Sequence, residues 1–282
     1  MHGIYLTAVL TTSVAVMLFG VLIHKLRLPA NERLLWLAAV IVLPLQPLVF
    51  HWIRVPLDHW LAAHLDSTSA TYIWLTSLYA PLTEEPAKLV PLLIPAIFRD
   101  IRRENFVRYA LAIGVGFAIG EMWFVADRIA RVPALAALPF YQFSGYLAER
   151  LATCVFHSAF VSVALWRLHR RFALGFEGAV VLHWLGNFPV FLMTWYIGGL
   201  GKSFWMVFIV LFLLLYFFAA VGLLSYFAFG RIVPARIFYG PRHCPECDKN
   251  YDAPLLALNF LRTRYERCPY CRRWHWTKPS NP

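Results

Sequence analysis

A chain of 282 residues that is 60% hydrophobic and 17% aromatic, with 15% charged residues and a mean hydropathy of +0.59, lies far outside the range of soluble domains. That composition excludes a water-soluble globular enzyme and identifies an integral membrane protein. A net charge of +11 would suggest nucleic acid in a soluble chain, but the placement of the basic residues along this one argues against such a partner.

A bilayer crossing takes about 20 apolar residues, and such windows occur seven times, at about residues 3–23, 34–53, 71–98, 106–128, 148–168, 175–197 and 204–229. The first is long for a signal-peptide core, and no small-residue cleavage site follows it before HKLRLPANER, so it reads as a retained span. Between the second and third windows, HWIRVPLDHWLAAHLDSTSA mixes apolar with polar residues and is expected as a short helix on the outer surface. Alternate loops concentrate the basic residues: Lys25, Arg27 and Arg33, then Arg99, Arg102, Arg103 and Arg108, then Arg167, Arg170 and Arg171, then ten in the tail after residue 230. The remaining loops hold Arg54, Arg128, Arg131, Arg150 and Lys202. By the positive-inside rule the first set faces the cytoplasm, so the N-terminus lies outside and the C-terminus inside, as an odd number of spans requires. The expected architecture is an all-α polytopic membrane protein with about seven transmembrane helices, spanning residues 1–230, followed by a small cytoplasmic tail over 231–282.

The third window contains LTEEPAKL at residues 82–89. On a helix Glu84 reaches Lys88 in the favourable i,i+4 order, and Glu85, three residues away, competes for the same ammonium. One ammonium cannot neutralise two carboxylates in a low dielectric, which leaves one of them suited to general-base work. The plainer reading is an internal ion pair that fixes helix packing. Pro81, Pro86, Pro91 and Pro95 predict that this helix is kinked and that its freed carbonyls find other partners.

In the fourth window, YALAIGVGFAIGEMWF, Gly116 and Gly120 are spaced for close helix approach and Glu121 follows directly. The fifth holds His157 midway in CVFHSAF, beside Cys154, which reads as a small buried residue. The sixth, VVLHWLGNFPVF, puts His183 and Asn187 four apart on one helical face, a donor pair suited to holding an oxyanion or orienting water. Interhelical hydrogen bonding is the alternative for each of these polar residues. At 1.5 Å per residue, Glu84, His157, His183 and Asn187 all fall within about 5 Å of the window midpoints and Glu121 about 6 Å outward. Packing residues have little reason to share one layer, so four helices are expected to build a single polar site.

The tail carries CPEC (Cys244, Cys247) and CPYC (Cys268, Cys271) with twenty residues between the pairs. Two C-x-x-C knuckles in a reducing compartment point to a tetrahedral thiolate site holding structural zinc, with rubredoxin-like iron as the rival. About 40 residues cannot bury much core, so the metal would supply the folding energy. Four thiolates leave zinc no open position, which makes this zinc-ribbon-like module a structural or partner-docking element. His243 and His275 lie near the knuckles as substitute ligands.

Two carboxylates, two histidines and an asparagine, with no serine or cysteine motif around them, suggest activated-water chemistry at a carbonyl. The metalloprotease spacing H-E-x-x-H and the patterns G-x-S-x and G-x-G-D are absent. In their order on successive windows, Glu84-Glu85-x-x-Lys88, Gly116-Phe117-x-x-x-Glu121, His157-x-x-Phe160 and His183-x-x-x-Asn187 resemble the PrsW family of glutamic-type intramembrane proteases, relatives of the CPBP proteins that include the CAAX prenyl proteases. The resemblance covers about residues 71–190. CPBP members carry E-E-x-x-x-R and F-x-x-x-H; here Lys88 comes one position early and Glu121 takes the histidine slot, which favours PrsW. The resemblance implies a peptidase of the prokaryotic plasma membrane that cuts a membrane-anchored protein without a metal in the membrane site. Glu84 or Glu85 would activate the water, and Glu121, His157, His183 and Asn187 would complete the site. The cysteine tail is no part of that pattern and would dock substrate or a cytoplasmic partner. A proton- or ion-coupled transporter is the alternative from the residues alone, although no repeat between two halves is visible; a third is a non-catalytic receptor or scaffold signalling through the tail.

Overall fold

The computed structural model describes residues 2–26, 28–196, 202–230, 241–253, 257–260 and 263–277. Arg27 and the stretch 231–240, which holds two of the tail's basic residues, lie outside them, as does the end of the sixth predicted window.

The chain opens with α1 (Gly3–Lys25), then α2 (Glu32–Val42), whose Asn31 side chain caps it by accepting from the backbone N–H of Arg33 and Leu34. There follow α3 (Leu45–Val49), a π-helical turn (Phe50–Arg54) and α4 (Val55–His64), so that residues 32–64 form one almost unbroken helical run. The π turn has a local cause. Pro56 has no N–H to give and its ring crowds the turn before it, and the backbone widens so that the N–H of Val55 reaches the carbonyl of Phe50. The expected separate surface helix after residue 50 is therefore, as far as His64, the continuation of the second run.

The third window is not one helix. It divides into α5 (Ala70–Ser77), α6 (Tyr79–Lys88), a 3-10 turn (Val90–Leu93) and α7 (Pro95–Asp100). Ile94, which precedes Pro95, is extended at φ −85° and ψ 112°, as the steric demand of a following proline requires. The predicted kink is thus a succession of breaks, and α6 is a ten-residue helix, YAPLTEEPAK, that carries both glutamates and the lysine.

Beyond it lie α8 (Phe106–Ala130), α9 (Pro133–Ala136), a second 3-10 turn (Phe140–Phe143), α10 (Ser144–Trp166), α11 (Phe172–Tyr196) and α12 (Lys202–Phe229). Among the described residues five helical stretches are long and apolar enough to cross a membrane: 3–25, 32–64, 106–130, 140–166 and 205–229. The molecule is a helical membrane protein. Its centre is α8, whose apolar window is 72% buried against 33% for α1 and 11% for α12. Helices α1, α2 and α10 pack around it, while α12 turns large side chains such as Leu215 and Phe218 outward, as a lipid-facing helix does.

Glycines let α8 occupy that centre. A β-carbon on Gly116 would strike the Ala39 carbonyl of α2, one on Gly120 the Leu43 carbonyl, and one on Gly114 the backbone of Ser158 in α10. The predicted close approach at Gly116 and Gly120 is therefore to the α2 backbone.

Gly230 ends α12 in the left-handed region at φ +70°, giving its N–H to Tyr226, which suits glycine at a helix C-terminus. In the tail, β1 (Pro241–His243) pairs antiparallel with β2 (Asn250–Asp252), and β3 (Leu258–Phe260), β4 (Thr263–Arg267) and β5 (Trp274–Thr277) form an antiparallel sheet with β4 in the middle.

The substitution Gly120→Leu is expected to cost about 1–3 kcal/mol by overpacking and to lower the thermal unfolding midpoint of the detergent-purified protein. Gly20→Leu, whose added carbon would meet nothing within 4 Å, should leave that midpoint unchanged.

Candidate active site

Short α6 delivers Glu84, Glu85 and Lys88 to one place, all three buried, because the breaks on either side free it to tilt without dragging a full-length span. Lys88 bonds Glu85, three residues away, at 2.5 Å, and its ammonium also lies over the rings of Phe117 and Phe160. The expected Glu84–Lys88 pair does not form. Glu84 instead takes Arg54, which the π turn aims at it and whose Nε donates to Thr83 at 2.8 Å.

Glu121 has its own cation as well. Arg150 of α10 bonds it at 2.9 Å and also holds Glu149. Three carboxylates, Glu84 and Glu85 buried and Glu121 half-buried, therefore meet three separate cations, and the expectation that Glu84 and Glu85 compete for one ammonium is corrected. Sequence reasoning missed Arg54 and Arg150 because both fell among the sparse outer-loop arginines. A signal for Arg150 was present: it precedes His157 by seven residues, which puts both on one face of α10. Arg54 offered no such spacing, since a π turn sets its direction.

Two of the carboxylates orient histidines. His183 Nδ1 lies 2.5 Å from Glu85 Oε1, and because an ionised carboxylate only accepts, Nδ1 carries the proton. Its Nε2 faces Glu84 Oε2 at 3.7 Å, too far for a hydrogen bond. His157 Nε2 in the same way donates to Glu121 Oε2 at 2.8 Å, and its buried Nδ1 has no partner. The two rings meet edge to face at 5.6 Å, and Phe160 stacks on His183. Glu84, His157 and His183 each present one donor atom within 4.8 Å of the others, a spacing open to a metal ion as well as to water.

This cluster forms part of the wall of a cavity of about 1400 Å³ that is otherwise mainly apolar. Glu84, Glu121, His157, His183 and Asn187 line it; Glu85 and Lys88 stand behind. Asn187, one turn beyond His183, is exposed to the cavity and makes no hydrogen bond among the described residues. The predicted residues of the membrane site thus converge, with Glu85 and Lys88 as supports. Cys154 is fully buried and does not line the cavity.

In the tail Cys244, Cys247, Cys268 and Cys271 form a second cluster, with sulfur separations of 3.7 Å (Cys244 to Cys271) and 3.8 Å (Cys247 to Cys268). Both knuckles repeat one backbone pattern: Asp248 and Arg272 each stand at φ 59° and donate to the carbonyls of Cys244 and Cys268. Metal–sulfur bonds of about 2.3 Å in a tetrahedron put sulfurs about 3.8 Å apart, so the spacing fits a tetrathiolate metal and not a disulfide. Burial pushes the Cys268 thiol up, but the N–H groups of Cys271 and Tyr270 outweigh it and bring it down to about 7. Desolvation and Cys244 push Cys247 up to about 12, a conflict that a bound cation would remove. His243 and His275 are turned to Asp248 and Tyr251 and stand outside the cluster.

No protein-family model matches this chain, and no curated protein or solved structure is significantly similar to it.

Replacing Arg150 with Met strips Glu121 of its cation and is expected to cost about 3–5 kcal/mol, read as a lower unfolding midpoint. Adding Glu121→Gln to that variant should recover part of the loss.

Proposed function

We propose that this protein is an intramembrane peptidase that hydrolyses a peptide bond of a membrane-anchored protein with water activated at Glu84. The observation that carries the reading is the convergence of Glu84, His157 and His183 on one wall of a large, mainly apolar cavity. A transmembrane segment or anchored tail suits the apolar walls, and activated water suits the polar one. The resemblance to PrsW proteases supports the same reaction. The proposal includes seven spans, with the broken third segment and α11 completing the set, the N-terminus outside and the C-terminus in the cytoplasm.

In the proposed reaction, water sits between Glu84 Oε2 and His183 Nε2. Glu84 takes one proton as the water oxygen bonds the scissile carbonyl carbon, and the carbonyl oxygen becomes an oxyanion. The Asn187 amide, one helical turn from His183, donates to that oxyanion, a contribution of about 3–4 kcal/mol for a well-placed donor. The tetrahedral intermediate collapses by breaking the C–N bond, and Glu84 returns its proton to the leaving amine. Glu85 with Lys88, and Glu121 with Arg150, hold the two imidazoles in one tautomer and orientation.

A second reading rests on the same cluster. One carboxylate and two histidines, each histidine backed by a further carboxylate, match the donor set of a catalytic divalent metal with an open position. A bound metal would supply Lewis acidity and lower the pKa of its water. For the tail we infer structural zinc on the four cysteines, with docking of substrate or a cytoplasmic partner as its role.

Cells carrying the wild-type protein should yield membrane-protein fragments that vanish with Glu84→Gln and with His183→Ala, a loss of about 10²–10⁴-fold in rate, while the variants still accumulate in the membrane. Equal fragment patterns from folded wild type and variant would sink the peptidase reading, and ion flux in liposomes without cleavage would favour a transporter. Metal analysis separates the remaining readings. One zinc per chain, lost on Cys268→Ser, is expected for the tail alone; a second metal, lost on His157→Ala and needed for cleavage, would favour the metal-bound water.

A further inference from the structure

A second cavity, of about 470 Å³, lies between the segment joining α7 to α8 and the turn joining α10 to α11. Arg102 and Arg103 line it from the first, Arg167, Arg170 and Arg171 from the second, and no carboxylate is among its lining residues. None of the five arginines has an ion pair among the described residues, whereas Arg54, Arg108, Arg131 and Arg150 each hold a carboxylate. Asp100 does not relieve the charge, being turned to Tyr109 and the Asn31 backbone. Glu104, the nearest acid in sequence, is exposed and lies outside the lining.

The two walls are braced. Asn105 accepts from the Arg102 N–H at 2.7 Å and donates to the Asp100 carbonyl at 2.8 Å. The N–H groups of Arg170 and Arg171 close on the Arg167 carbonyl at 3.1 and 3.0 Å. His169 Nε2 ties the walls together by donating to the Ile101 carbonyl at 2.7 Å. Five like charges held around one small space repel one another, and an anion between them lowers their energy. The volume falls in the range of small-ligand sites, about 300–1,000 Å³. Trp166, exposed at the end of α10 with Arg167 over its ring, sits where a helix leaves the apolar layer, the depth of lipid headgroups.

We propose that this pocket binds a phosphate-bearing anion and that the group is the headgroup of an anionic phospholipid, held by the guanidinium forks of the two segments. Planar guanidinium groups match phosphate oxygens in pairs, and a basic pocket between helix ends at headgroup depth is a place where a lipid phosphate is presented without a search through solution. The inference is independent of the reaction at Glu84.

The test uses the full chain in detergent, titrated with short-chain phosphatidylglycerol while the unfolding midpoint is followed. Saturable stabilisation is expected, with at least a tenfold weaker apparent affinity in Arg103→Gln/Arg167→Gln/Arg170→Gln. The control Lys25→Gln/Arg33→Gln/Arg99→Gln removes equal charge outside the pocket and should stay within about twofold of wild type. Inorganic phosphate distinguishes the source: failure to compete at millimolar concentration identifies a lipid site, and competition identifies a free-phosphate site of the same chemistry. Non-saturable stabilisation, or equal weakening in the control, would overturn the proposal in favour of diffuse surface charge.

Discussion

A charge among apolar helices has to be cancelled close by, because burial removes most of the water and salt that would otherwise screen it. Around the large cavity that rule is met three times over: Arg54 with Glu84, Lys88 with Glu85 and Arg150 with Glu121. Each pair joins different parts of the bundle or closes one turn of a helix, so the pairs fix helix positions as well as charges. With the carboxylates held, each histidine has one ring nitrogen fixed as a donor, Nδ1 of His183 to Glu85 and Nε2 of His157 to Glu121. The chemistry available to the cavity is thereby shaped by pairs that reach from its wall, where Arg54, Glu84, Glu121 and Arg150 stand, to Glu85 and Lys88 behind it. Removal of Lys88 would unsettle His183 through Glu85, and removal of Arg150 would unsettle His157 through Glu121.

Much of the site was legible in the sequence because burial of an ionisable residue in an apolar window is costly and thus informative. Glu84, Glu121, His157, His183 and Asn187 stood out for that reason, and their common depth foretold that they meet. Partner choice was not legible. The i,i+4 preference that favoured Glu84 for Lys88 describes an isolated helix in water, whereas here Phe117 and Phe160 draw the ammonium to the side of Glu85. Arg54 and Arg150 were hidden because an arginine near a window edge reads as a loop residue. Helix boundaries failed where proline acts: hydropathy sees residues 71–98 as one apolar tract, while the chain breaks into four pieces, with Pro91 and Pro95 opening the last two and Pro86 accommodated inside α6.

The tail obeys a different economy. Its strands are three to five residues long, too short for independent stability, and among its described residues a compact apolar cluster is built from Cys244, Tyr251 and Cys268 with the other two cysteines against it. The sulfurs are therefore both core and a candidate ligand set. Cysteine spacing announced the cluster in the sequence because it depends on local chain geometry, which C-x-x-C states directly, and not on long-range packing.

The π turn at residues 50–54 has a bearing on how such a site is acquired. A π turn is a helix that has absorbed one additional residue, and each residue rotates the rest of the helix by about 100°. Deleting one residue there would restore an ordinary helix, leave the membrane span intact and swing the Arg54 position to another face. The direction of the guanidinium that answers Glu84 thus rests on one residue of helical register, the smallest change by which a span gains or loses a cation beside a buried glutamate.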